Sequence, residues 1–279
     1  MRNITLAPTT TPQQRVRFEL KTLTLSGCIL LLLCNAVLAQ GMRPLIPPDP
    51  AIQTQFISVL SDPSVQEALQ LIQQRESRTV EEQLEITEIP APPFKEQRRA
   101  EDFLQRVRAL GLSNAYIDSE GNVVAARPGR GDGPTLLIAA HLDTVFPESV
   151  DTTVELREGR YYAPGIGDDT RGLAVLLSLI DTLNQSQIET VGDIVFSANV
   201  GEEGRGDLRG VKALFRDMPE VDGFISVDGV RLTRITAGGT GSRRFEFVFK
   251  GPGGHSFGAF GLPSAIHAMG RAIALIAEL

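Results

Sequence analysis

The stretch that most constrains this chain is Leu136-Leu137-Ile138-Ala139-Ala140-His141-Leu142-Asp143-Thr144-Val145. An apolar run of strand length ends in a histidine, and a carboxylate follows two residues later. Such a run predicts a buried strand with polar groups held at its tip. Residues two apart in an extended segment point to the same side, so His141 and Asp143 can share one face. A carboxylate so placed can hold an imidazole in one tautomer, as it does beside a metal ligand. Taken alone, the pattern fits a strand-end histidine and a helix-capping aspartate at least as well.

Three more polar clusters change that balance. Gly165-Ile166-Gly167-Asp168-Asp169 precedes a predicted helix, Gly172 to Leu183. Gly201-Glu202-Glu203-Gly204 follows a predicted strand, Ile194–Val200, and Asp228 follows another, Phe224–Val227. Singly, Glu202-Glu203 reads as a solvated acidic turn and Asp168-Asp169 as a helix N-cap pair. Together they aim a histidine and several carboxylates at one rim. In an open α/β sheet that rim, at the carboxyl ends of the strands, is where ligands bind. Zinc accepts imidazole nitrogen and carboxylate oxygen, and His141, Asp168, Glu203 and Asp228 supply four such donors. With two glutamates side by side, one can bind metal and the other can take a proton from water.

Composition narrows the setting. The chain has 279 residues and a net charge of −7, which argues against nucleic acid as a partner. Arg2, Arg15, Arg17 and Lys21 precede an uncharged segment, Thr22 to Ala39, that closes with Val37-Leu38-Ala39. This predicts a secretory signal over residues 1–39, cleaved after Ala39, and hence a secreted or periplasmic protein. A retained membrane anchor ranks second, because the apolar core falls short of the ~20 residues a spanning helix needs. Leu25-Ser26-Gly27-Cys28 fits a lipoprotein signal but is misplaced, since most of the apolar run comes after it. Both cysteines, Cys28 and Cys34, lie inside the signal, so a metal in the mature chain must be held by His, Asp and Glu.

After a proline-rich linker (residues 40–62), helices are expected from Pro63 to Arg75, from Val80 to before Pro90, and from Glu96 to Leu110. Short strands follow at Ala115–Ile117 and Val123–Ala126. Strands then alternate with helices, which predicts an α/β catalytic domain over 63–237. Beyond Gly238-Gly239, alternating Phe245, Phe247 and Phe249 and a final helix, Pro263 to Leu279, read as the start of a smaller α+β domain over 238–279.

In order and spacing the four clusters, with Gly251-Pro252-Gly253-Gly254-His255-Ser256, resemble the di-zinc metallopeptidases and amidohydrolases that include carboxypeptidase G, peptidase T, acetylornithine deacetylase, succinyl-diaminopimelate desuccinylase and aminoacylase. The resemblance runs from about Val80 to the last residue. It implies a three-layer αβα zinc-exopeptidase-like domain with an inserted ferredoxin-like lid. It implies two zinc ions, with cobalt or manganese able to stand in. His141 and Asp228 would bind one zinc, Asp168 would bridge both, and Glu203 would bind the second. Asp143 would orient His141, and Glu202 would be the general base. A non-proline cis peptide would follow Asp168. His255, in the lid, would steady the oxyanion, often across a homodimer interface. The implied activity is hydrolysis of a peptide bond in short peptides. The alternatives are deacylation of N-acyl amino acids, or a catalytically incomplete remnant that only binds. The chain departs from the family in having Thr170 where many members carry lysine. It also has no histidine after His267 for the last zinc ligand, so a C-terminally truncated catalytic domain and lid are expected.

Overall fold

The computed structural model describes residues 49–186, 188–229, 235–238, 241 and 245–278. The signal expected over residues 1–39, with both cysteines, lies outside them. Among the described residues four helices come first: α1 (Pro50–Leu60), α2 (Pro63–Gln74), α3 (Glu76–Thr87) and α4 (Gln97–Ala109). Strands β1 (Tyr116–Ile117), β2 (Val123–Arg127) and β3 (Leu136–His141) follow, then a ribbon of β4 (Glu155–Arg157) and β5 (Arg160–Tyr162). Helix α5 (Thr170–Gln185), β6 (Ile194–Asn199), α6 (Arg209–Asp217) and β7 (Gly223–Ser226) complete a first unit that ends at Asp228. A second unit begins at Gly229 and contains α7 (Ala265–Ala277). Among the described residues no helix is long and apolar enough to cross a membrane.

The main sheet has the order β1-β2-β6-β3-β7. Strands β3, β6 and β7 are parallel, with Ala139 opposite both Ser197 and Ser226, while β2 runs antiparallel to β6. The carboxyl ends of the three parallel strands and the β1–β2 turn therefore share one edge. Apolar side chains alternate between the faces, as a strand's period of two requires. Ala125, Ile138, Ala140 and Phe196 face a layer made by α3, α4 and α5. Val124, Leu137 and Val195 face Leu214 of α6. This is the three-layer αβα arrangement. Leu173, Leu176, Leu177 and Ile180 recur at helical spacing along α5 and are fully buried. Burial of each contributes about 1.5–3 kcal/mol.

Two expectations need correction, and one element was unforeseen. The extended linker expected over residues 40–62 is helical from Pro50 to Leu60. Asp49 caps it by accepting from the Ala51 amide at 2.8 Å, and Pro50 stands in the first turn, where its missing N–H costs nothing. The β4–β5 ribbon was not foreseen. Its turn, Glu158-Gly159, has positive φ at both residues (49° and 75°), a hairpin geometry usually announced by Asn-Gly or Asp-Gly. The alternating phenylalanines of the second unit form no strand: residues 245–250 carry no regular structure, and Phe245 and Phe247 are exposed. Alternation makes a strand only where another strand takes up its hydrogen bonds.

Because Leu177 is fully buried, Leu177→Ala should lower the unfolding free energy by about 2–5 kcal/mol. Urea denaturation followed by circular dichroism measures this; a loss under about 1 kcal/mol would mean that α5 does not organise the core.

Candidate metal centre

The site is built on the end of β3. The His141 side chain is 3% exposed as a residue, and its main-chain amide donates to Asp169 Oδ2 at 3.0 Å. The ring is held by the main-chain carbonyl of Asp143, 2.9 Å from Nδ1. A carbonyl oxygen only accepts, so in the neutral ring the proton sits on Nδ1 and the lone pair is left on Nε2. Nε2 faces Asp168, whose Oδ1 is 2.8 Å away.

Asp143 was expected to orient the ring through its carboxylate, which lies 3.6 Å from Nδ1. The closer contact comes from its backbone instead. Its two carboxylate oxygens accept from the amides of Glu202 at 3.0 Å and Glu203 at 2.8 Å. Asp143 thus joins the end of β3 to the loop after β6. The chain after β7 is held by the Val227 amide, which donates to Ala139 O at 2.7 Å and so sets Asp228 beside β3.

The Asp168–Asp169 peptide is cis. Asp168 projects to the exposed side, while Asp169 is buried and caps α5 by accepting from the Gly172 amide at 3.1 Å. The preceding loop is tied down from α3. Gln83 donates to Ile166 O at 2.6 Å, and the buried Thr170 hydroxyl lies 2.7 Å from that of Thr87. Thr170 therefore serves the core.

Among the described residues two sets of donor atoms lie within 4.8 Å of one another: His141 with Asp168 and Asp228, and His141 with Glu202 and Glu203. With metal–ligand distances of about 2.0–2.2 Å, ligands of one ion sit at most about 4.4 Å apart, so small side-chain movements close either set around an ion. Nitrogen and carboxylate oxygen without sulfur suit zinc, cobalt or manganese. The electrostatics agree. Burial alone would lower the His141 pKa, but the carboxylates of Asp143, Asp169 and Glu202 raise it to about 10. Burial and the neighbouring Asp228 push Asp169 up to about 8, against the pull of His141. Glu202 is raised by burial and by Asp228, Asp143 and Asp168; Glu203 is raised by burial and by Asp168 and Glu202. The cluster is short of positive charge, which a divalent cation supplies.

The structure thus brings together His141, Asp143, Asp168, Glu202, Glu203 and Asp228. His255 belongs to the second unit, where its Nδ1 accepts from the amides of Phe257 and Gly258 at 3.3 and 3.2 Å. Sequence reasoning missed Arg99. It is 1% exposed and donates to Ile89 O at 2.9 Å and to Leu142 O at 2.7 Å, fixing the peptide between His141 and Asp143. Burial lowers its pKa to about 10, opposed by Asp143 and Asp102, so it stays charged at neutral pH. Its signal was its position: Arg99, Phe103 and Val107 are spaced four apart on the buried face of α4.

Fold and site together define an α/β domain with a histidine–carboxylate centre at the carboxyl edge of its parallel strands. Residues 137–240 match the profile of peptidase family M20/M25/M40. It is 31% identical over 167 residues to a putative [LysW]-lysine/[LysW]-ornithine hydrolase of Pyrococcus abyssi, covering 59% of this chain and 44% of that protein. It is 28% identical to the succinyl-diaminopimelate desuccinylase of Corynebacterium glutamicum, covering 69% of this chain and 52% of that one. Over 112 residues it is 37% identical to carboxypeptidase G2 of a Pseudomonas species, covering 37% and 27% of the two chains. The chain thus spans about half the length, or less, of these relatives. Human carnosine dipeptidase 1 shares the fold, with a TM-score of 0.50 at 14% identity over 60% of this chain and 42% of that one.

The proton on His141 sets a pH dependence. Metal must displace it from Nε2, so between pH 6 and 8, well below a pKa of about 10, each unit of falling pH weakens the apparent affinity by about tenfold. Competition titration with a chromophoric zinc chelator measures the slope. A flat profile would exclude Nε2 as a ligand.

Proposed function

We propose that this chain carries the metal-binding half of a hydrolase that cleaves a peptide bond in short peptides with the help of zinc. One observation carries the reading: two carboxylate sets converge on the single buried His141 at the ligand-binding edge of the sheet. The match of residues 137–240 to the M20/M25/M40 peptidase profile supports it. His141, Asp168, Glu203 and Asp228 are the residues that would hold two zinc ions. When bound, zinc polarises the scissile carbonyl and lowers the pKa of water.

Glu202 is the residue for the proton. Burial and the surrounding carboxylates raise its pKa, which brings a carboxylate closer to neutrality as a base. It takes the proton from water and returns it to the departing amine nitrogen, so the same group serves as base and then as acid. Its main-chain amide is anchored on Asp143, so its side chain starts from a fixed point at the rim. His255 would steady the oxyanion from the lid, and a homodimer through that lid is part of the proposal. Residues 1–39 would export the protein, with cleavage after Ala39. The relative named as a desuccinylase keeps a second reading, amide hydrolysis of N-acyl amino acids, for the same site.

Glu202→Gln should retain bound zinc, measured by elemental analysis, and lose about 10²–10⁴-fold in kcat. Dipeptides and N-succinyl or N-acetyl amino acids, assayed side by side, separate the two readings. An unimpaired variant would remove Glu202 from the reaction, and a wild-type chain that takes up no metal would overturn the hydrolase reading.

A further inference from the structure

The loop that carries Glu202 and Glu203 has a second anchor besides Asp143. Its ends meet where the Gly210 amide donates to Val200 O at 3.1 Å. The fully buried Asn122 bridges the same ends: its Oδ1 accepts from the Val200 amide at 3.0 Å, and its Nδ2 donates to Gly210 O at 3.1 Å. Inside the loop, the Gly206 amide donates to Glu203 O at 2.8 Å. Asp207 and Leu208 are both left-handed, with φ of 55° and 54°. These turns bring the next residue, Arg209, back over Gly201.

Arg209 packs so closely there that a Cβ on Gly201 would overlap its Nη1 and Cγ, and φ at Gly201 is +67°. Glycine is therefore required beside Glu202. The guanidinium is fixed on three sides. Nη2 lies 3.0 Å from each oxygen of the buried Glu96, at the start of α4. Nε lies 3.3 Å from Glu120 in the β1–β2 turn, and the Phe94 ring centroid is 4.9 Å from Cζ. A planar fork paired with a buried carboxylate and stacked on a ring holds its orientation, which a lysine ammonium does not.

We infer that Arg209, clamped by Glu96 and Glu120, is a positioning residue that sets Gly201 and thereby where Glu202 stands. It touches no reacting atom and acts through the loop backbone. Its catalytic consequence rests on the hydrolase reading; its structural consequence does not.

The test uses Arg209→Lys, which keeps the charge beside Glu96, and Glu120→Gln, which weakens only the half-buried arm of the clamp. In the metal-free chain, hydrogen–deuterium exchange over residues 201–208 should accelerate in both variants, more in Arg209→Lys, with β3 and α5 unchanged. In the zinc-loaded chain, kcat should fall about tenfold to a hundredfold for Arg209→Lys with KM and zinc content unchanged. Unchanged loop exchange would overturn the inference, as would faster exchange across the whole first unit or a change in KM alone. If Arg209→Lys does not fold, Glu120→Gln decides by the same loop exchange. If the wild type hydrolyses nothing, the hydrolase reading fails and the clamp stands or falls on exchange alone.

Discussion

The site depends on one buried carboxylate. Asp143 has no exposed surface, and its two oxygens are taken up by two consecutive amides of a loop that follows a different strand. Burial favours the neutral acid, but the His141 ring and the amides of Glu203 and Glu202 outweigh it and hold the pKa below the ordinary range. The ionised form is what the geometry needs, because a protonated carboxyl could not accept equally at both oxygens. The same residue's carbonyl turns the His141 ring. One residue thus aligns a nitrogen donor on β3 with carboxylate donors on the loop after β6.

Such a charge cannot sit in a dry core without an answer. Arg99 gives one from below: burial lowers its pKa, Asp143 partly offsets that fall, and its N–H groups satisfy the carbonyls of Ile89 and Leu142. A line of fixed charges therefore runs from the apolar face of α4 to the rim. The layer under the sheet, which would otherwise be plain packing, becomes part of the electrostatic design of the centre.

Most of this scaffold was readable from the residues. Strands β3 and β6 are mainly apolar and buried, α5 carries a broad buried apolar face, β7 is a short, largely exposed edge strand, and their ends fall within a residue or two of where the hydrophobic pattern stops. The gathering of His141, Glu202, Glu203 and Asp228 followed from strand polarity, whereas Asp168 was read from its place just before a helix. What escaped were contacts between distant segments. Nothing near Asp143 tells that its side chain will serve amides some sixty residues on, or that its backbone will take the ring. Arg99 looked like one of several arginines on an amphipathic helix. The start of α1 was hidden because a proline that opens a helix looks, in sequence, like a proline that prevents one.

Asp169 divides its two oxygens between tasks of different kinds. One takes the Gly172 amide and starts α5; the other takes the His141 amide and ends β3. The helix that fills the core and the strand that presents the imidazole therefore share a fastening point. Repacking beneath α5 would be transmitted to His141 as a displacement of its backbone, so the affinity of the centre for an ion reports on the order of the core. Conversely, an ion held at the rim tightens the fastening. The chain's resistance to unfolding and its hold on a cation become two readings of one mechanical linkage.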